Sequence, residues 1–284
     1  VRRQYVDQMR GARPRQACDD DRPVYGHLRD FGVPLPRVLE TQPRACLPCP
    51  TVQRLTFQTA GNGTLALGGN AFTTTSTSTT SYAGAITGTG GTLTKAGSGK
   101  LTLTGASSYT GQTTVSAGVL NIQNATATGT TAGGISVTSG AALELEHATG
   151  ITVGAEALTL NGTGISSGGG LRNISGANTY GGAITLGSAS QINSDAGTLT
   201  LDVASGSAIS GTFDLTFGGA GNITVADAIA TGTGNITKIG NGTLTLNAVN
   251  SFTGTLNANA GVVTLGSAGR LAGGSSVSLG GGTL

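Results

Sequence analysis

The sequence predicts an all-β fold: a parallel β-solenoid over residues 55–284, preceded by an irregular segment. Three observations carry this. Apolar residues alternate with Thr, Ser and other small residues in run after run of four or five, which is the period of a half-buried strand. Gly, Ser or Asn bounds each run and supplies the turns. One 30-residue phrase is written twice, and no domain boundary lies between the copies.

Residues 1–54 form a separate text. They hold all seven prolines, all three cysteines and ten of the fifteen basic residues, all ten of them arginine. They show no alternation and no apolar stretch of the kind a secretory signal needs. The expectation is an irregular segment, disordered or not native to the protein, that stays out of the core. Residues 55–284 hold 47 of the 50 glycines, five basic residues and seven acidic ones. The basic pI therefore averages two unlike segments and points to no nucleic-acid partner.

The phrase opens at Leu93 as LTKAGSGKLTLTGASSYTGQTTVSAGVLNI and returns at Ile236 as ITKIGNGTLTLNAVNSFTGTLNANAGVVTL. Without a gap, 13 of 30 positions are identical. Lys95, Gly97, Gly99, Leu101, Leu103, Tyr109, Gly111 and Gly118 correspond to Lys238, Gly240, Gly242, Leu244, Leu246, Phe252, Gly254 and Gly261. Shorter echoes occur elsewhere. GNGTL stands at 61–65 and 240–244, and Tyr-x-Gly-Ala-Ile-Thr at 82–87 and 180–185. Short runs such as Ile135–Thr138, Ala157–Leu160, Phe213–Phe217 and Asn222–Val225 fill the intervals. Thr73–Thr80 reads as an exposed strand or loop.

A unit that cannot bury its own apolar face is stable only when stacked on neighbours. At about 20 residues per coil, 230 residues make roughly eleven coils. Leu101, Leu103, Leu244 and Leu246 are expected as stacked interior positions, with Thr102 and Thr245 outward. Sustained 3.6-residue spacing is missing, so helices are excluded. No run of about 18 apolar residues occurs, so no helix spans a membrane. Glycine without a three-residue period and without proline excludes collagen.

The two phrases resemble the autotransporter-associated β-strand repeat, also called the passenger-associated transport repeat. Lys95 through Leu103, Tyr109-Thr110-Gly111 and Val115 through Leu120 carry the closer match. Lys238 through Gly261 is the second, with Leu256-x-Ala258 in place of the usual Thr-x-Val. The resemblance implies a right-handed parallel β-helix, exported across the outer membrane of a diderm bacterium by a C-terminal β-barrel, and hence a cell-surface or extracellular location. This chain contains no barrel-like series of strands and ends at GGGTL, which looks like the opening of another copy. It therefore reads as a passenger fragment whose last coil leaves strand edges bare, and self-association through that coil is expected.

No catalytic, cofactor-binding or metal set is assigned. Gly97-Ser98-Gly99-Lys100-Leu101 lacks the first glycine and the Ser/Thr of a phosphate loop. Cys46-Leu47-Pro48-Cys49 with Cys18 and His27 fits no compact zinc site. The acid/base candidates are Glu144, Glu146, His147, Glu156, Asp195, Asp202, Asp214 and Asp227. Glu144 and Glu146 alternate with Leu143 and Leu145, with His147 adjacent, and read as a solvated strand face. One histidine after residue 27 leaves no serine–histidine–acid set. Two function classes follow. The first is a structural display module of an autotransporter passenger, serving export and adhesion or autoaggregation, without cofactor. The alternative is a carbohydrate-active β-helix enzyme, a lyase or hydrolase. The sparse charge of 55–284 favours the first.

Overall fold

A computed structural model of the chain describes residues 63–266 and 269–284. The expectations for residues 1–54, including the Cys46–Cys49 pair, lie outside the described residues.

The short alternating runs become strands that stack in parallel on three faces, and the chain visits the faces in a fixed order. The first face stacks Ala71–Thr74, Thr92–Lys95, Thr113–Val115, Ile135–Val137, Leu158–Gly162, the start of Ile184–Ser194, Ser207–Ser210 and Ala228–Ala230. The second stacks Thr80–Tyr82, Lys100–Leu103, Val119–Ile122, Ala142–Glu146, Leu171–Ser175, the end of Ile184–Ser194, Leu215–Gly218, Ile236–Lys238, Thr255–Ala258 and Ser276–Leu279. The third stacks Thr152–Val153, Ala177–Tyr180, Thr198–Leu201, Asn222–Val225, Thr243–Leu246 and Val262–Leu265. Below these, single hydrogen bonds at Tyr109 and Ser108 carry the third face down to the pair Leu65–Ala66 and Ile86–Thr87. Ile184–Ser194 runs unbroken through a corner and joins the first two faces into one 17-stranded sheet.

The described residues wind about ten turns. The uniform 20-residue coil expected from the sequence is only the lower end of the range. Leu101 stacks on Leu120, 19 residues on, whereas Leu143 stacks on Leu171, 28 residues on. The longer coil carries the 3-10 turn Ile165–Ser167, the one helical element among the described residues. A solenoid absorbs such insertions at its corners because each coil contacts only its neighbours.

The core is a set of ladders. Leu101, Leu120, Leu143, Leu171, Ile192 and Phe217 stand in one column of the second face. Leu199, Ile223, Leu244 and Val263 stand in one column of the third. All ten are at most 1% exposed. Burying each such side chain contributes about 1.5–3 kcal/mol. The intervening Thr102 and Thr245 are only half-buried, on the outer surface.

Candidate functional site

The residue type that the sequence marks most sharply is a lysine where a strand period demands an apolar side chain. Leu93-x-Lys95 and Ile236-x-Lys238 put each lysine on the same side as its apolar neighbour. The structure follows the period: Lys95 and Lys238 are each 1% exposed. Lys95 stacks between Thr74 and Val115, and Lys238 between Phe217 and Ala258.

Each ammonium ends in a cage of carbonyls at the corner that follows. Lys95 Nζ donates to Gly97 O and, at 3.2 Å, to Ala117 O. Lys238 Nζ donates to Ile239 O and Gly240 O, both at 2.7 Å, and reaches Ala260 O at 3.5 Å. Neither makes an ion pair among the described residues. Burial without a counter-anion pushes both below the ordinary lysine value. The carbonyls that receive the protons come from two successive coils, so each lysine ties its own corner to the coil above.

The cage has room for no other residue at its lid. Gly118 (φ 67°) and Gly261 (φ 68°) are left-handed. A Cβ on either would stand within 3.0 Å of two carbonyl oxygens and the lysine Nζ. The remaining glycines of the motif lie where successive backbones touch. A Cβ at Gly97, Gly99 or Gly111, or at Gly240, Gly242 or Gly254, would collide with a carbonyl of the coil below. Leu101, Leu103, Leu244 and Leu246 line the interior, each at most 2% exposed.

Two further pairs of matched positions explain where the copies differ. Ser107 Oγ accepts the Ile86 N–H at 3.2 Å, and its counterpart Asn250 Oδ1 accepts the Ile229 N–H at 3.0 Å. Different side chains thus satisfy the same buried donor, 21 residues back in both cases. Tyr109 and Phe252 are both fully buried. The Tyr109 hydroxyl is 2.5 Å from Thr113 Oγ1. In the second copy Tyr109 becomes Phe252 and Thr113 becomes Leu256, so both hydroxyls leave together and no buried polar atom is stranded.

The two copies wind alike but occupy different faces. In the first, the lysine strand is on the first face and the Leu-x-Leu strand on the second. In the second, the lysine strand is on the second face and the Leu-x-Leu strand on the third. The shorter echo moves the same way. Tyr82 and Ile86 lie on the second and third faces, Tyr180 and Ile184 on the third and first. Each tyrosine hydroxyl still donates to a corner carbonyl of the coil below, Gly63 O and Glu156 O respectively. The local winding is therefore encoded by the motif, and the direction in which its outer surface points is not.

The acid/base candidates correct one expectation. Glu144 is not on a solvated strand face: it is 2% exposed. Lys100 Nζ lies 2.6 Å from Glu144 Oε2, Arg172 Nη1 3.4 Å from Glu144 Oε1, and Arg172 Nη2 2.5 Å from Asp195 Oδ2. Asn121 Nδ2 donates to both Glu144 and Glu146, at 3.2 and 2.8 Å. The charges alternate in sign up the second face, tying coils on either side of the long one. Hydrogen bonding and attraction from Asp195 raise the Arg172 guanidinium above its ordinary value. The sequence gives no cue to this, because the partners are 23 to 44 residues apart and meet only through coil register. Asp202, Asp214 and Asp227 lie away from this ladder; Asp214 and Asp227 accept backbone N–H groups from Asn235 and Val203. Among the described residues no three His, Cys, Asp or Glu side chains gather as a metal site.

A family model described as the passenger-associated-transport-repeat matches residues 93–122 and 236–265. The "Adhesin BmaC autotransporter" of Brucella suis biovar 1 (strain 1330) is 43% identical over 98 residues. That match covers 33% of this chain and 3% of the relative's length. No solved structure matches. The chain carries two passenger-associated-transport repeats in one parallel β-solenoid, identical in winding and set one face apart.

Proposed function

We propose that residues 55–284 form a rod segment of an autotransporter passenger at the bacterial cell surface, serving export and adhesion or autoaggregation without catalysis. A C-terminal β-barrel translocator is its partner in the whole protein. The observation that supports this reading is the phase difference between the repeats. A partner reading the second face of the rod meets the Leu-x-Leu strand of the first copy and the lysine strand of the second, never the same part of the motif twice. What both copies share is internal: the ammonium cage, the glycine contacts and the stacked leucines. The repeat thus works as a winding element that closes coils, and coil closure outside the cell favours outward movement of the chain. Cell attachment falls to the outer surface, rich in Thr and Ser.

The enzymatic alternative gains little from the acids, since Glu144 is enclosed by Lys100, Arg172 and Asn121. The test displays the chain on bacteria through a β-barrel translocator. Settling of the culture and attachment to host cells are compared with cells displaying the barrel alone. The reading predicts faster settling or greater attachment, with no release of reducing or unsaturated sugars from a polysaccharide panel. Sugar release abolished by Glu144→Gln or Glu146→Gln defeats it.

A further inference from the structure

One carboxyl sits in the solenoid where the stacked positions of the coils directly below and above, Gly133 and Gly182, are glycine. Two positions before the stacked register partners Leu93, Thr113, Ile135, Leu158 and Ile184 of the first face stand Gly91, Gly111, Gly133, Glu156 and Gly182 in successive coils. A Cβ at Gly111, Gly133 or Gly182 would meet a backbone carbonyl of the coil below within 3.0 Å. Glu156 nonetheless occupies this column and is 2% exposed, between exposed Ala155 and Ala157.

The surroundings are those of a neutral acid. The carboxyl accepts one N–H, from Gly134 in the coil below. Its Oε1 atom has no hydrogen-bond partner. The titratable groups that face it are the phenols of Tyr109 and Tyr180, both fully buried. No basic side chain pairs with it among the described residues; Lys100 and Arg172 are engaged by Glu144 and Asp195. The Tyr180 hydroxyl donates to the Glu156 carbonyl at 2.7 Å, and Gly182 abuts that carbonyl. Three coils therefore meet at this residue. In the earlier copy of the Tyr-x-Gly-Ala-Ile-Thr phrase, the same carbonyl belongs to Gly63, which carries no charge.

We propose that Glu156 makes this point of the solenoid a protonation-sensitive joint, tight when the carboxyl is neutral and loosened when it ionises. An isolated anion in this pocket loses hydration and gains one N–H in return. Desolvation accordingly pushes the carboxyl up to about 7, against the smaller opposing effect of the Gly134 N–H. The sign follows from linkage. Between the ordinary carboxylate range and about 7 the folded state binds more protons than the unfolded state. Stability from this group is fully present at about pH 4, declines as pH rises, and is lost above about 7. The joint is therefore strengthened by mild acid.

The test uses the full chain and its Glu156→Gln variant, which keeps the shape and removes the titration. Denaturation midpoints are measured at pH 5 and pH 8, and the Glu156 carboxyl is titrated by 13C NMR. The proposal predicts a carboxyl midpoint near 7. It also predicts a folding constant larger at pH 5 than at pH 8 by tens-fold up to about 300-fold, and a marked loss of this difference in Glu156→Gln. A carboxyl titrating in the ordinary range, or an undiminished pH difference in the variant, overturns it. If Glu156→Gln does not fold, the carboxyl titration alone decides.

Discussion

Replacing the lid of the lysine cage isolates the contact that defines the repeat. Gly118→Ala and Gly261→Ala each introduce two costs. Holding an L residue in the left-handed region costs about 1–2 kcal/mol. Forcing a Cβ to within 3.0 Å of two carbonyl oxygens and an ammonium displaces backbone that is itself packed, at about 1–3 kcal/mol. Alanine also stiffens the unfolded chain, which offsets about 0.4–1 kcal/mol. Gly206→Ala is the control. Gly206 is left-handed too, at φ 88°, but a Cβ there meets nothing within 4 Å. The left-handed penalty and the unfolded-chain offset are common to all three variants, so their difference is the clash. Urea denaturation followed by circular dichroism should place both cage variants about 1–3 kcal/mol below Gly206→Ala, and close to one another. Equal losses for Gly118→Ala and Gly206→Ala would show that the cage is not closely packed and would remove the reason for glycine at that position.

Three further outcomes follow from the same packing. Leu244→Ala should cost about 2–5 kcal/mol and Thr245→Ala under about 1, since Leu244 is fully buried in its column; equal losses would mean the register is wrong. A double-mutant cycle on Tyr109→Phe and Thr113→Ala should show a coupling of about 0.5–1.5 kcal/mol, and additive losses would contradict the paired hydroxyls. Limited proteolysis tests the division expected from the sequence: cleavage should begin before residue 55 and leave 55–284 intact, and early cleavage at interior strands would refute it.

The fold was largely legible because strand period and glycine punctuation are local properties. The period placed Leu101, Leu103, Leu244 and Leu246, and the gapless repeat implied stacking. The same period also assigned Lys95 and Lys238 to the interior, a signal easily passed over because lysine is ordinarily a surface residue. The cage becomes intelligible only when corner carbonyls from two coils converge, which no spacing within one coil reveals. Coil length was less legible. The insertion at Ile165–Ser167 lengthens one coil, and the register slips at Leu145/Glu146 and Leu160/Gly162 where its flanking strands pair, so a uniform period misjudges it. Glu144 was misread for a related reason. Alternation correctly sets it on the outer side of Ala142–Glu146, but its enclosure depends on Lys100 and Arg172, brought alongside by coils of unequal length. The exchange of Tyr109 and Thr113 for Phe252 and Leu256 is one coordinated change, which only the contact between the two hydroxyls reveals.

One motif winds alike on different faces, and cysteine cross-linking tests this most directly. Facing residues on neighbouring parallel strands stand about 4.8 Å apart, within the reach of a disulfide at about 4.4–6.8 Å. With Cys18, Cys46 and Cys49 replaced by serine, the pair Thr216→Cys/Thr237→Cys should close under mild oxidation, because Thr216 and Thr237 are register partners on the second face. The pair Ser210→Cys/Thr237→Cys should stay reduced, because Ser210 stacks on Ala230 of the first face. Closure of the second pair in place of the first would put the lysine strand of both repeats on one face and contradict the account.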